Sequence, residues 1–198
     1  MSDENSALGD YDIELGTILQ LDGVPQHRFI TEIKGSVRRW LEGGDPKVEG
    51  HFNAWFIQMN AACEAGESPH GLLDDQGRRL LDVGEAVYSY SPFDLKPDVR
   101  KRIGIQEDEE AGVFMYIQDL DLRSKHFKAG LDRAIVGKLA LLFGPAVDVI
   151  AIDAGFVGKV VEKGRGRREV NVADEWKHLG FVHLAGTGYA IRPGKLLY

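Results

Sequence analysis

Cysteine is almost absent from this sequence: Cys63 is the only one among 198 residues. A single thiol cannot form a disulfide within the chain, and it cannot supply the paired thiolates of a zinc or redox motif. The histidines offer no substitute, because His178 and His183 lack the helical spacing of a ligand pair. We therefore predict no metal site, and the low cysteine content favours a cytoplasmic protein.

Positive charge and long apolar runs are also scarce. The formal net charge is -7, which disfavours a nucleic-acid partner because neutralising phosphates needs a surplus of lysine and arginine. No apolar run approaches the roughly 18 residues of a membrane span, and the first residues are acidic and polar, unlike a signal peptide. We therefore expect no membrane contact, a flexible tail at 1–10 and a single domain at 11–198.

The first half of the chain contains apolar patterns of both strand and helix type. The alternation at 11–23 predicts a strand that ends at an Asp-Gly turn. At 31–44 the spacing of apolar residues predicts an amphipathic helix, and we favour a helix over a strand for the apolar segment 51–66. A polar turn is predicted at 74–77, and the β-branched and aromatic residues of 84–94 predict a strand that Pro92 ends.

The second half has a clearer pattern, in which a strand at 113–122 is followed by a helix and a buried strand. The helix begins after Gly130 and ends at Gly144-Pro145, and the nearly continuous apolar run 146–154 follows it. Such a crossover unit places its two strands parallel in one sheet. The free N–H groups at the start of the helix are suited to binding a phosphate.

Two segments of this half, "LRSKHFKAGLDRAIV" and "DEWKHLGFVHLAGTGYAIRP", resemble the GNAT (Gcn5-related N-acetyltransferase) superfamily. Gly130 falls on the first glycine of the family's pyrophosphate loop, Leu122 on the apolar residue that closes the preceding strand, and Leu179-Gly180-Phe181 on a later landmark. The resemblance implies an α/β (α+β) fold. Its sheet would be mixed and mostly antiparallel, with one parallel strand–helix–strand unit, and flanked by helices.

The resemblance further implies an N-acyltransferase that moves an acetyl or other acyl group from coenzyme A to an amine. The cofactor would be acetyl-CoA, and the acceptor a small-molecule amine or a basic peptide. Its pantetheine would lie along 116–122 and its pyrophosphate at 127–133. The implied cofactor-binding residues are Leu120, Asp121, Leu122, Phe127, Lys128, Ala129, Gly130, Leu131, Asp132 and Arg133.

The strand also offers a candidate catalytic base. Asp119 and Asp121 are two residues apart and share one face of the strand, whereas Leu120 and Leu122 would face the core. In the family, carboxylates near this strand often deprotonate the amine. Asp119 is therefore the candidate base.

The sequence departs from the family at three positions. Phe127 stands where the family has arginine or glutamine, and Asp132 stands where it has a second glycine or alanine. A carboxylate about 5 Å from a diphosphate would repel it by about 3 kcal/mol per charge pair, roughly a hundredfold in affinity. Trp176 replaces a tyrosine that protonates the departing thiolate; an indole N–H is not a usable acid, and a core aromatic is the expected role.

These departures leave a second hypothesis open. Asp132 would also stabilise the helix by itself, because a first-turn carboxylate interacts with the free N–H groups that a phosphate would use. The chain would then be a degenerate GNAT-fold protein that does not bind coenzyme A and acts as a binding or interaction module. Its basic segment 159–168 is either a clamp for an anionic partner or a solvated hairpin tip. A homodimer is compatible with both hypotheses.

Overall fold

The computed structural model describes residues 10–18, 28–42, 44–91, 93–122, 130–163 and 167–195. The strands are β1 Tyr11–Ile18, β2 Ile30–Arg39, β3 Lys47–Gln58, β4 Tyr88–Tyr90, β5 Phe93–Leu95, β6 Val113–Leu122, β7 Val149–Asp153, β8 Gly158–Lys163, β9 Arg167–Val172, β10 Val182–His183 and β11 Tyr189–Pro193. The α-helices are α1 Met59–Glu64, α2 Pro69–Asp74, α3 Arg78–Val87, α4 Pro97–Ile103, α5 Leu131–Phe143, α6 Ala154–Val157 and α7 Asp174–Lys177. Within these ranges no helix is long and apolar enough to cross a membrane.

Seven of the strands form one mixed sheet, in the order β1-β2-β3-β6-β7-β11-β10. Every neighbouring pair is antiparallel except β6 and β7, which are parallel and joined through α5. The predicted α+β class is therefore correct, with a mostly antiparallel sheet and one parallel strand–helix–strand unit. The short strands β4 and β5 form a separate hairpin, and so do β8 and β9.

Both faces of the sheet are buried, because its central strands carry apolar side chains on alternate sides. In β6, Phe114 and Tyr116 contribute to the core that also contains residues of α1, α2, α3 and α4. Met115 and Ile117 contribute to the core on the opposite face, which contains residues of α5 and α7. The sheet therefore separates two apolar layers. The candidate site lies at the opening of the sheet, where β6 and β7 cease to pair after Ile117 and Ile152.

The crossover unit predicted from the second half is confirmed. The strand at 113–122 has the predicted bounds, the helix runs from Leu131 to Phe143, and the buried strand runs from Val149 to Asp153. The first strand is also confirmed over Tyr11–Ile18, whereas its predicted remainder and the tail at 1–9 lie outside the described residues.

The helix predicted at 31–44 is wrong, because this segment forms strand β2. Ile33 and Val37 are four residues apart, a spacing that places them on one face of a strand as well as one face of a helix. Gly35 lies between them on that face, and a Cβ atom at this position would lie 2.1 Å from the Phe52 ring on β3. The missing side chain therefore lets the two strands and the Phe52 ring pack together.

Two further predictions need correction. The apolar segment 51–66 begins as a strand and becomes the helix α1 only at Met59. It is apolar on both sides because β3 is a central strand whose two faces are both buried. The strand predicted at 84–94 is helix α3 up to Val87, and the rest is confirmed only as the short hairpin of β4 and β5. The polar turn at 74–77 is confirmed between α2 and α3.

We expect Gly35→Ala to destabilise the protein by about 1–3 kcal/mol, because the added methyl group would overlap the Phe52 ring. Urea unfolding followed by circular dichroism measures this as a lower midpoint. Gly44→Ala is the matched control, since a Cβ atom there would meet nothing within 4 Å. Equal midpoints for the two variants would contradict the assigned packing of β2 on β3.

Candidate functional site

A β-bulge in β6 organises the candidate site. Asn53 of β3 pairs with Asp119 and the next residue, Ala54, pairs with Ile117, so Gln118 has no partner on β3. The extra residue changes which side chains share a face. Leu120 consequently faces the same core as Ile117 and is 4% exposed, whereas Asp119 faces the opposite side.

Beyond this bulge, β6 and β7 are no longer paired. The parallel pairing covers only Phe114–Ile117 of β6 and Val149–Ile152 of β7. Residues 119–122 continue to pair with β3 on one side, and no described strand pairs with the other side of 118–122. The backbone of this segment therefore presents a free edge. Leu120, Asp121 and Leu122, which the resemblance implies as pantetheine contacts, all lie on it.

The predicted faces of this edge segment are confirmed. Leu120 and Leu122 are buried in the core beneath α5, whereas Asp121 is exposed. The following helix starts at the same end of the sheet, because a crossover helix begins at the carboxyl end of its first strand. The free edge thus leads toward Gly130 at the start of α5.

The start of α5 is occupied by its own side chains. Gly130 has a left-handed backbone (φ 78°) and precedes Leu131 and Asp132, which are 4% and 5% exposed. A Cβ atom at Gly130 would lie 2.5 Å from the Arg133 guanidinium, which therefore folds back over this glycine. The same guanidinium lies 3.5 Å from a carboxylate oxygen of Glu175.

The Asp132 carboxyl is buried at an electrostatically mixed position. Burial raises its pKa, and the nearby Glu175 carboxylate adds to this effect. The backbone N–H groups of Arg133 and Asp132 itself and the Arg133 charge act in the opposite direction without cancelling it. One oxygen, Oδ1, has no hydrogen-bond partner. The carboxyl lies beside the backbone N–H groups of Asp132 and Arg133, in the first turn of the helix, where an anion would be expected to bind.

Only some of the residues implied for the pyrophosphate are among the described residues. Phe127, Lys128 and Ala129 lie outside the described residues, whereas Gly130, Leu131, Asp132 and Arg133 adjoin one another at the start of α5. These four residues adjoin because they are consecutive in the sequence, so their role in binding stays a prediction.

Asp119, the predicted base, belongs to a chain of polar contacts. Its Oδ1 lies 3.1 Å from Nη1 of Arg79 on α3, and its Oδ2 accepts a hydrogen bond of 3.1 Å from the Gln118 side chain. Gln118 in turn accepts a hydrogen bond of 2.8 Å from the Trp55 indole. The Asp119 side chain is 49% exposed, so its remaining lone pairs are open to solvent.

Three further residues lie beside these polar contacts and were not predicted from the sequence as site residues. The rings of Tyr116 and Tyr189 meet edge to face with centroids 6.0 Å apart. Asp153 ends β7 directly opposite Tyr189 of β11. Burial raises the pKa of both phenols, and the Asp153 charge raises it further. Their proximity depends on strand pairing between distant segments, although an aspartate ending a buried strand is a signal that the sequence does show.

Trp176 has the role expected of a core aromatic. It is 3% exposed and meets the Phe181 ring edge to face at 5.9 Å. Both residues belong to the core beneath α5. The landmark Leu179-Gly180-Phe181 therefore contributes to packing on that face.

The basic segment 159–168 includes parts of an antiparallel hairpin made by β8 and β9, whose tip, with Arg165, lies outside the described residues. Among the described residues, no group of histidine, cysteine and carboxylate side chains is arranged to hold a metal ion.

A cavity of about 340 Å³ lies away from these groups, beside the acidic turn at 107–110. Its one cationic lining residue, Arg100, is already engaged by Asp94 and by the backbone carbonyls of Gln106 and Glu109. Burial raises the pKa of the Cys63 thiol in its wall, which disfavours the nucleophilic thiolate. We therefore assign the candidate site to the opening of the sheet.

Comparison with known proteins adds no further assignment. The chain matches no protein-family model, and a search of curated proteins finds no match.

We expect Asp132→Asn to stabilise the protein near neutral pH by up to about 1 kcal/mol, because it removes a buried charge but keeps the side chain's shape. A raised folded-state pKa means that the native protein binds the proton more tightly than the unfolded chain. The stability from Asp132 is therefore fullest below about pH 3.9, the ordinary aspartate pKa, and is lost as the pH rises to the folded-state value.

Thermal unfolding of both proteins between pH 3 and 7 measures this difference. The gain should be largest at pH 7 and smallest at pH 3. A variant that is less stable than wild type at pH 7 would show instead that the charge of Asp132 stabilises the helix.

Proposed function

We propose that this protein is an N-acyltransferase of the GNAT type, which transfers an acyl group from coenzyme A to an amine. The observation that carries the proposal is the free edge at 118–122, which follows the Gln118 bulge and leads toward the start of α5. The strand order, with its single parallel pair, also supports a GNAT-type sheet.

The free edge suits the pantetheine arm for a simple reason. Pantetheine is extended and contains amide groups, and an extended chain can add to a sheet edge through backbone hydrogen bonds. An arm bound along 118–122 would bring its thioester close to the point where β6 and β7 part. Asp119 and Tyr116 lie on one face of the sheet at that point.

The proposed reaction is a direct transfer. The neutral amine attacks the thioester carbonyl, the carbon–sulfur bond breaks, and coenzyme A leaves as a thiolate. Asp119 accepts the proton that the amine nitrogen loses, using a lone pair not engaged by Arg79 or Gln118. Water protonates the thiolate, because the buried Trp176 cannot act as an acid.

The start of α5 favours a second candidate function, a binding or interaction module that does not use coenzyme A. Asp132 is buried against the first-turn N–H groups, and Arg133 folds over Gly130 and pairs with Glu175. Together these side chains fill the position expected for the pyrophosphate.

Calorimetric titration with acetyl-CoA separates the two functions. We expect saturable binding by the wild type and roughly hundredfold tighter binding by Asp132→Gly, because the repulsion between carboxylate and diphosphate is removed. Asp98→Gly is a matched control, since Asp98 is also a first-turn acid, on α4, and its affinity should equal that of wild type. Absence of binding by both the wild type and Asp132→Gly would exclude the acyltransferase and favour the module.

Asp119→Asn tests the proposed base. We expect it to keep acetyl-CoA affinity but to lower the acylation rate by about 10²–10⁴-fold, the usual contribution of a general base. The rate is measured as thiol release with a panel of primary amines and lysine peptides. Asp45→Asn, an exposed change in the turn between β2 and β3, is the control. Equal rates for the two variants would show that another group accepts the proton.

A further inference from the structure

One carboxylate at the opening of the sheet lacks a charged partner. Asp82 lies 2.8 Å from Arg78, and Asp119 lies 3.1 Å from Arg79. Asp153 accepts one backbone N–H at 2.6 Å and forms no ion pair among the described residues. Of these three carboxylates, Asp153 is the one without a guanidinium partner among the described residues.

Two tyrosines stand beside this unpaired charge. Tyr116 is 2% exposed, and within the described residues its hydroxyl has no hydrogen-bond partner. Its ring and that of Tyr189 are nearly perpendicular, at 86°. Because Tyr116 lies within the core, the ring of this pair that a cation can reach is the partly buried Tyr189. A cation binds an aromatic face within about 6 Å of the ring centroid.

The chemistry of amine acylation restricts which nitrogen binds here. A nitrogen that attacks a thioester must first lose its proton, whereas a carboxylate beside aromatic faces favours a nitrogen that stays charged. Asp119 is already available for the reacting nitrogen. Asp153 and the tyrosines are therefore suited to a different, permanently protonated group of the same acceptor.

We infer that Asp153, Tyr116 and Tyr189 form a subsite for a second, non-reacting ammonium group, so that the acceptor belongs to the class of diamines. The identification of the acceptor rests on the proposed function, whereas cation binding rests on the side-chain cluster itself. The two parts are tested separately.

The test is calorimetric titration of the full chain, without coenzyme A, using butane-1,4-diamine and butylamine as hydrochlorides and butan-1-ol as the neutral analogue. We expect both amines to bind saturably and the alcohol not to bind. Asp153→Asn should weaken amine binding at least tenfold, and Asp45→Asn should leave it unchanged. Tyr189→Leu should weaken it several-fold, and it provides an independent variant if Asp153→Asn does not fold.

Equal amine affinity in wild type and in folded Asp153→Asn would overturn the subsite, and so would equal binding of butan-1-ol. With acetyl-CoA present, the diamine should have a KM at least tenfold below that of butylamine at similar kcat, and Asp153→Asn should remove this preference. Equal KM values in the wild type would overturn the diamine assignment. Amine binding without acetyl-CoA binding would contradict only the proposed function.

Discussion

The extra residue at Gln118 is the constraint on which the candidate site depends. Without it, strict alternation from Met115 and Ile117 would direct Asp119 into the apolar core beneath α5 and Leu120 toward the polar side. An unpaired carboxylate in that core would cost several kcal/mol. The bulge places Asp119 beside Arg79, and the Trp55–Gln118 hydrogen bond holds the bulged side chain in place. The same irregularity lies where β6 and β7 cease to pair.

The start of α5 illustrates a different balance, between the stability of the helix and the affinity for an anion. A first-turn carboxylate contributes about 0.3–1 kcal/mol through the helix dipole, and the burial of Asp132 outweighs the favourable interactions of its charge. The same charge would cost a bound diphosphate about 3 kcal/mol. For a chain that binds coenzyme A, the charge of Asp132 would therefore cost more in ligand affinity than in the stability of the fold.

The accuracy of the sequence predictions depends on how local the decisive interactions are. The unit of β6, α5 and β7 was predictable because each element shows its own apolar periodicity. The Gly-Pro that ends the helix is also a local signal. Strand β2 was misread because Ile33 and Val37 fit either period, and the contact that decides between them, Gly35 with Phe52, joins two strands. The bulge has no signal in β6 alone. The candidate residues on β6 could be named from that strand alone. The grouping of Tyr116, Asp153 and Tyr189 could not, because it depends on contacts between strands that are distant in the sequence.

The proposed chemistry places more demand on the acceptor side of the site than on the side of the leaving group. An amine with a pKa of about 10.4 is almost entirely protonated at pH 7, and releasing that proton costs about 4.6 kcal/mol. A thiolate, whose conjugate acid has a pKa of about 8.5, departs with little assistance. Trp176, at the position where the GNAT resemblance expects an acidic tyrosine, would therefore cost the proposed enzyme only the less important proton transfer. Asp119, the proposed base, lies on the acceptor side, where the larger cost arises.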